Sequence, residues 1–268
     1  MITHQNPWFQ MNLIDHTVKV AQQRAPIITT LLSILMMFTS TVSLSQDKPE
    51  GGTPFKLSAG LYSMKDALGR TQMAQDLNLR VSSTVGNTWI GYFETQSKDL
   101  QQTRIGWDNA IKVGALRIQP SLQSATGGFF GGSLGVETGE ALFIGAALGR
   151  TNLKNYVNLN FDPNDSWTFT SGYRWNAQRT VSLQVVRDNR ENPDQQHIHV
   201  MYRTSFTDNN RFLIDVLVKS GTVENEYIKK VGWMTGLDWG ELGLRFAYDP
   251  KVNFTSSDMK RLIFSYRY

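Results

Sequence analysis

His197 and His199 stand two residues apart, and in an extended chain that spacing puts both imidazoles on one face. Two imidazoles at i, i+2 could chelate a metal, or one could serve as a general base. Asp215, on the next apolar–polar alternating stretch and of the same parity, could orient a histidine. A nucleophilic triad would also need a serine. Ser205 lies too far along the same stretch, ~20 Å from His199 at the rise of an extended strand. His197, His199 and Asp215 are therefore the only catalytic candidates. Their simpler reading, polar side chains hydrogen-bonded to neighbours, is preferred, so no catalytic residue, metal ligand or cofactor is assigned.

Other suggestive stretches reduce to local structure. The run Thr126–Gly135, TGGFFGGSLG, lacks the Lys-Ser/Thr ending of a phosphate loop and opens no helix. Glycines so clustered mark turns, bulges or close backbone approach. Asn253-Phe254-Thr255 matches a glycosylation pattern by letters alone. Arg190-Glu191-Asn192-Pro193-Asp194 reads as a solvated loop, with divalent-ion or lipopolysaccharide contact as the weaker reading. The 268 residues contain no cysteine, which excludes disulfides and thiolate metal sites, and the formal charge of +4 comes with no basic run, which argues against nucleic acid as a partner.

The first 45 residues carry their own message. Lys19 and Arg24 precede an apolar stretch, Ile27–Phe38, that is too short to span a bilayer but fits the h-region of a secretory signal. Ser43 and Ser45 supply small residues for cleavage before Gln46. Residues 1–45 are thus expected to be a signal peptide, with Met11 as an alternative start, 46–53 a flexible linker, and 54–268 the folded domain. That domain keeps only His197 and His199 of the four histidines.

Within that domain the chain alternates with period two. Trp167, Phe169, Tyr173 and Trp175 share one parity of Ser166–Trp175, and similar patterns fill Thr180–Val186, Gln195–Phe206, Arg211–Lys219, Lys230–Trp239 and Glu241–Asp249. Most such stretches have the ~9–11 residues that a tilted membrane-crossing strand needs. Tight turns at 176–179, 207–210 and 239–241 alternate with longer connections at 189–194, 222–227 and 250–258, which assigns each connection to one side of a barrel. The N-terminal half offers eight candidates, among them Thr103–Val113 and Lys154–Phe161. The total is fifteen. Because bacterial barrels use even numbers, the expectation is an all-β, antiparallel transmembrane barrel of about 14 strands, with 12 and 16 as neighbours.

Alternation alone does not choose between water and lipid as the outer solvent. The apolar parity carries bulky rings at strand ends, Trp167, Trp175, Tyr202, Trp233, Trp239, Tyr248, Tyr266 and Tyr268, as an interfacial girdle would. The opposite parity carries Arg117, Arg174, Arg203, Arg245, Arg267, Asp215 and Asp238, expected to line a lumen, together with Lys219, Lys230, Arg261, Glu241 and Asp249.

The closing strand is more specific. Leu262, Phe264, Tyr266 and Tyr268 alternate with Arg261, Ser265 and Arg267, and the chain ends on an aromatic ring. This resembles the C-terminal signature of Gram-negative outer-membrane β-barrel proteins as a class, without pointing to one family. The resemblance implies export to the cell outer membrane, contact with outer-membrane lipids and lipopolysaccharide, and recognition by the barrel-assembly machinery through Leu262, Phe264, Tyr266 and Tyr268. Three functions compete: a small pore or passive channel, a lipid-modifying barrel enzyme using His197, His199 and Asp215, and a structural or assembly barrel with a filled lumen.

Overall fold

A computed structural model describes residues 54–157, 165–176, 178–207 and 209–268; the expected signal peptide and linker lie outside the described residues. The alternating stretches become strands because β-branched and aromatic side chains pack well on a pleated surface. They are β1 (Phe55–Lys65), β2 (Thr71–Ser83), β3 (Gly86–Thr95), β4 (Gln101–Asp108), β5 (Ile111–Val113), β6 (Leu116–Ala125), β7 (Phe129–Thr138) and β8 (Leu142–Thr151), followed by β9 (Ser166–Asn176), β10 (Arg179–Asp188), β11 (Gln196–Ser205), β12 (Asn210–Val223), β13 (Glu226–Trp239), β14 (Leu242–Asp249) and β15 (Asp258–Arg267).

Every pairing is antiparallel and, β4 with β6 aside, joins neighbours in the chain, while β1 pairs with β15 from Lys56↔Arg267 to Lys65↔Asp258, so the sheet closes on itself. β4 and β5 share one partner: Arg104–Asp108 pairs with Ala125–Ser121 of β6, and Ile111–Val113 with Ile118–Leu116. They are two parts of one barrel strand interrupted at 109–110, so fifteen segments form a 14-strand barrel. Thr103–Val113 is therefore correctly a single stretch. The surplus candidate is Lys154–Phe161: residues 154–157 are not in a strand, and the rest of it lies outside the described residues.

Phe55, at the start of β1, and Tyr268 lie at one rim, where the backbone N–H of each donates to the carbonyl of the other at 2.9 Å. At this rim β2 leads to β3, β5 to β6, β7 to β8, β9 to β10, β11 to β12 and β13 to β14, through mostly short connections. At the opposite rim the connections following β1, β3, β6, β8, β10, β12 and β14 are mostly longer. One expected long connection is corrected. Residues 222–227 form no loop, because β12 and β13 continue to Val223 and Glu226 and join through Glu224 (φ 49°) and Asn225 (φ 69°). Two successive positive φ values are those of a type I′ turn, whose twist matches that of a hairpin.

The two faces are inverted relative to a water-soluble barrel. Ile90, Ile105, Leu134, Ile144, Phe169, Val200, Leu244 and Phe264 are exposed on the outer face, from 43% to 55%. The inner face carries the other parity, which includes Gln102, Arg104, His199, Asp215, Lys219, Asp238 and Arg261, all buried. No water-soluble barrel would leave an apolar belt of this extent on its surface, whereas a membrane-spanning one requires it. The chain is an antiparallel transmembrane β-barrel.

Candidate functional site: the barrel interior

With strands ~4.8 Å apart and tilted ~40°, fourteen of them enclose a barrel about 28 Å across between backbones, too wide for its own wall side chains to fill. What occupies the interior therefore decides what the barrel can do.

At the long-connection rim, two segments turn inward. In 152–157, Tyr156 stacks on Phe129 with ring centroids 4.2 Å apart, and its hydroxyl donates to Gln123 at 3.1 Å. Gln102 clamps the same segment, since its Nε2 donates to the Asn155 carbonyl (3.0 Å) and its Oε1 accepts from the Val157 N–H (2.6 Å). Arg104, paired with Asp76, donates to the Val157 carbonyl at 3.1 Å. Beneath it, Tyr62, Ala74, Phe93, Val252 and Met259 form an apolar cluster inside the barrel, against which Val157 packs. The second inturned segment is 250–257, whose 3₁₀ turn Val252–Phe254 supplies Val252 to that cluster and lays Phe254 against Val223 and Ile228.

The catalytic candidates lie under this second segment. His199 Nδ1 is 3.0 Å from Asp215 Oδ2 and 3.2 Å from Oδ1, and both residues are buried. His197 does not join the pair, because its ring stacks on Phe254 at 5.0 Å and is 1% exposed. Lys219 and Asp249, both fully buried, form an ion pair beside them, and Lys219 Nζ donates to the Lys251 carbonyl at 3.2 Å. His197 and Lys219 thereby hold the inturned segment to the wall. Among the described residues no three side chains are grouped so as to hold a metal ion.

The short-connection rim is charged. Arg245 and Arg267 both reach Asp238, at 2.7 and 2.8 Å. Arg174 pairs with Glu137 at 2.6 Å while its guanidinium lies 3.7 Å from the centre of the Phe143 ring. Gly172 makes room for that ring, as a Cβ there would come within 2.4 Å of it. Asp215 sits apart from Asp238, nearer mid-strand, and is engaged by His199. Arg117 and Arg203 are exposed and form no ion pair with a described residue.

Sequence reasoning passed over four further cations at this rim: Lys56, Arg80, Lys112 and Arg211. Each sits at or near a strand end where turn and strand composition blur, and only pairing across strands reveals them. Lys56 stands directly opposite both Arg267 and Arg80, and Arg211 opposite Asp238. Arg80 takes Asp108 at 3.0 Å. Between the two rims, Ser121, Gln123, Ser133, Thr170, Ser182 and Gln184 present a half-exposed polar wall.

Solved structures of similar outline are outer-membrane porins. The KdgM porin in complex with disordered oligogalacturonate is 11% identical, with 79% of this chain and 98% of that one covered at a TM-score of 0.43. Salmonella typhi OmpF, in complex with daunomycin, is 9% identical, with 81% and 97% covered at 0.45. The Acinetobacter baumannii outer membrane protein Omp33 is 9% identical, with 81% and 98% covered at 0.46. No family model and no curated protein matches the chain.

Proposed function

We propose that the protein is a passive pore for small polar solutes in the outer membrane of a Gram-negative cell, reached through the secretory pathway. The observation that carries this reading is the solvated inner wall on β6–β10. The inturned segments 152–157 and 250–257 narrow one end of the barrel, yet Ser121, Gln123, Ser133, Thr170, Ser182 and Gln184 remain half-exposed along its length. A bore of this width, which its described side chains narrow without filling, passes solutes without needing to move. A lipid-modifying enzyme would need His199 to meet substrate, whereas its ring is 4% exposed and engaged by Asp215. Lipid and lipopolysaccharide would meet the outer belt, and the alternating Leu262, Phe264, Tyr266 and Tyr268 would serve recognition by the assembly machinery.

The test is electrical. Protein refolded from residues 46–268 and added to planar bilayers is expected to give discrete conductance steps. Refolded protein that shows heat-modifiable gel mobility, and so is folded, but never opens a step would overturn the pore in favour of a filled structural barrel.

A further inference from the structure

We propose that the short-connection mouth is an anion-selective collar, built to admit small oxyanions, carboxylates and phosphates, in preference to cations. The inference rests on the pore reading and names the solute class that such a pore would favour. It comes from cross-strand register. On β2, β1 and β15, Arg80, Lys56 and Arg267 stand side by side as direct partners. Further round the wall, Lys112 stands directly opposite Arg117, which in turn faces Glu137. Arg203 and Arg211 carry the row across β11 and β12.

With Arg245 and Arg174, the inward strand positions of this mouth carry, among the described residues, nine cations against three carboxylates, Asp108, Asp238 and Glu137, while Glu140 and Glu241 lie in its connecting turns. Those three are already engaged, by Arg80, by Arg245 and Arg267, and by Arg174. Among the described residues, no carboxylate pairs with Lys56, Lys112, Arg117, Arg203 or Arg211. The deeper interior differs: there Arg104 meets Asp76, Lys219 meets Asp249 and His199 meets Asp215. Like charges set directly opposite one another destabilise a sheet, so the surplus opposes folding and an entering anion relieves it. Arginine tips extending about 6 Å inward from a wall about 14 Å from the axis leave a central ion roughly 8 Å away, about one Debye length at physiological salt. The collar's field therefore reaches the whole bore. Seven of the nine are arginines, whose planar fork suits the paired oxygens of a carboxylate or phosphate better than a halide.

The experiment is the reversal potential of single channels in a KCl gradient, for the wild-type chain and for the triple variant Lys56→Gln, Arg203→Gln, Arg211→Gln. The substitutions remove repulsion and no ion pair, so the variant folds, and heat-modifiable mobility verifies this. The expected result is a chloride-over-potassium preference of about threefold or more, reduced in the triple variant and inverted when the same positions carry Glu. Inorganic phosphate added at millimolar level is expected to lower chloride current in the wild type more than in the variant. Channels that open but prefer potassium, or whose preference ignores all three positions, overturn the collar and leave the pore standing. Phosphate without effect overturns the oxyanion preference. A folded protein that opens no channel overturns the pore itself and the collar with it.

Discussion

Asp238 is the residue on which the charged mouth turns. Its carboxylate is 2% exposed and accepts from two arginines whose side chains are 18% and 31% exposed. Removing the negative charge leaves those cations facing each other across β14 and β15 with no nearer counter-charge. Asp238→Asn should destabilise the barrel by about 2 kcal/mol, less than a fully buried pair because the arginines retain water. The measurement is the temperature at which the folded band converts to the unfolded one in detergent gels, which should fall. The histidines teach the opposite lesson. Their spacing on β11 is that of a metal or acid–base site, but one ring is stacked on Phe254 and the other is held by Asp215. A motif's chemistry depends on what covers it, and Phe254 belongs to a loop 57 residues away from His197 in sequence.

At the scale of elements, the strands were legible in period two, and the connections less so. Segment 154–157 has the composition of a strand, with Tyr156 and Val157 as its apolar positions, yet it leaves the wall and packs inside. Its backbone groups find partners in Gln102 and Arg104 instead of a neighbouring strand. Likewise Thr222 and Tyr227 look like loop flanks, while a Glu224-Asn225 turn with positive φ lets the hairpin continue past them. Gln102→Leu removes the clamp on 152–157 and strands the Val157 N–H. With both of its hydrogen bonds to the segment lost, at about 1 kcal/mol each, the segment should come loose. The expected outcome is a larger and noisier single-channel conductance with barrel stability little changed, checked in the same bilayers.

At the scale of the whole molecule, the question is which solvent each face meets. Val200, midway along β11 and 47% exposed, lies in the outer belt, whereas Gln119 on β6 is half-buried on the inner face. Val200→Arg should cost about 3 kcal/mol in lipid, and Gln119→Arg under about 1 kcal/mol. Urea titration of protein folded into liposomes would show this, and equal costs would mean that the faces have been assigned wrongly. The sequence by itself determined the period, the strand lengths, the terminal aromatic signature and the parity of Arg117, Arg174, Arg203, Arg245 and Arg267, because side-chain direction in a strand follows from counting by two. It put the strand number at about 14 without saying which of its fifteen candidates was surplus, and it left Lys56, Arg80, Lys112 and Arg211 unremarked. Only the tertiary structure decided that 154–157 is no strand, that His197 lies beneath a loop, and that cations from distant strands meet in one row. The physical reason is that register and closure are relations between strands, set by hydrogen bonds and by the circumference they must complete. No single strand carries that information in its own residues.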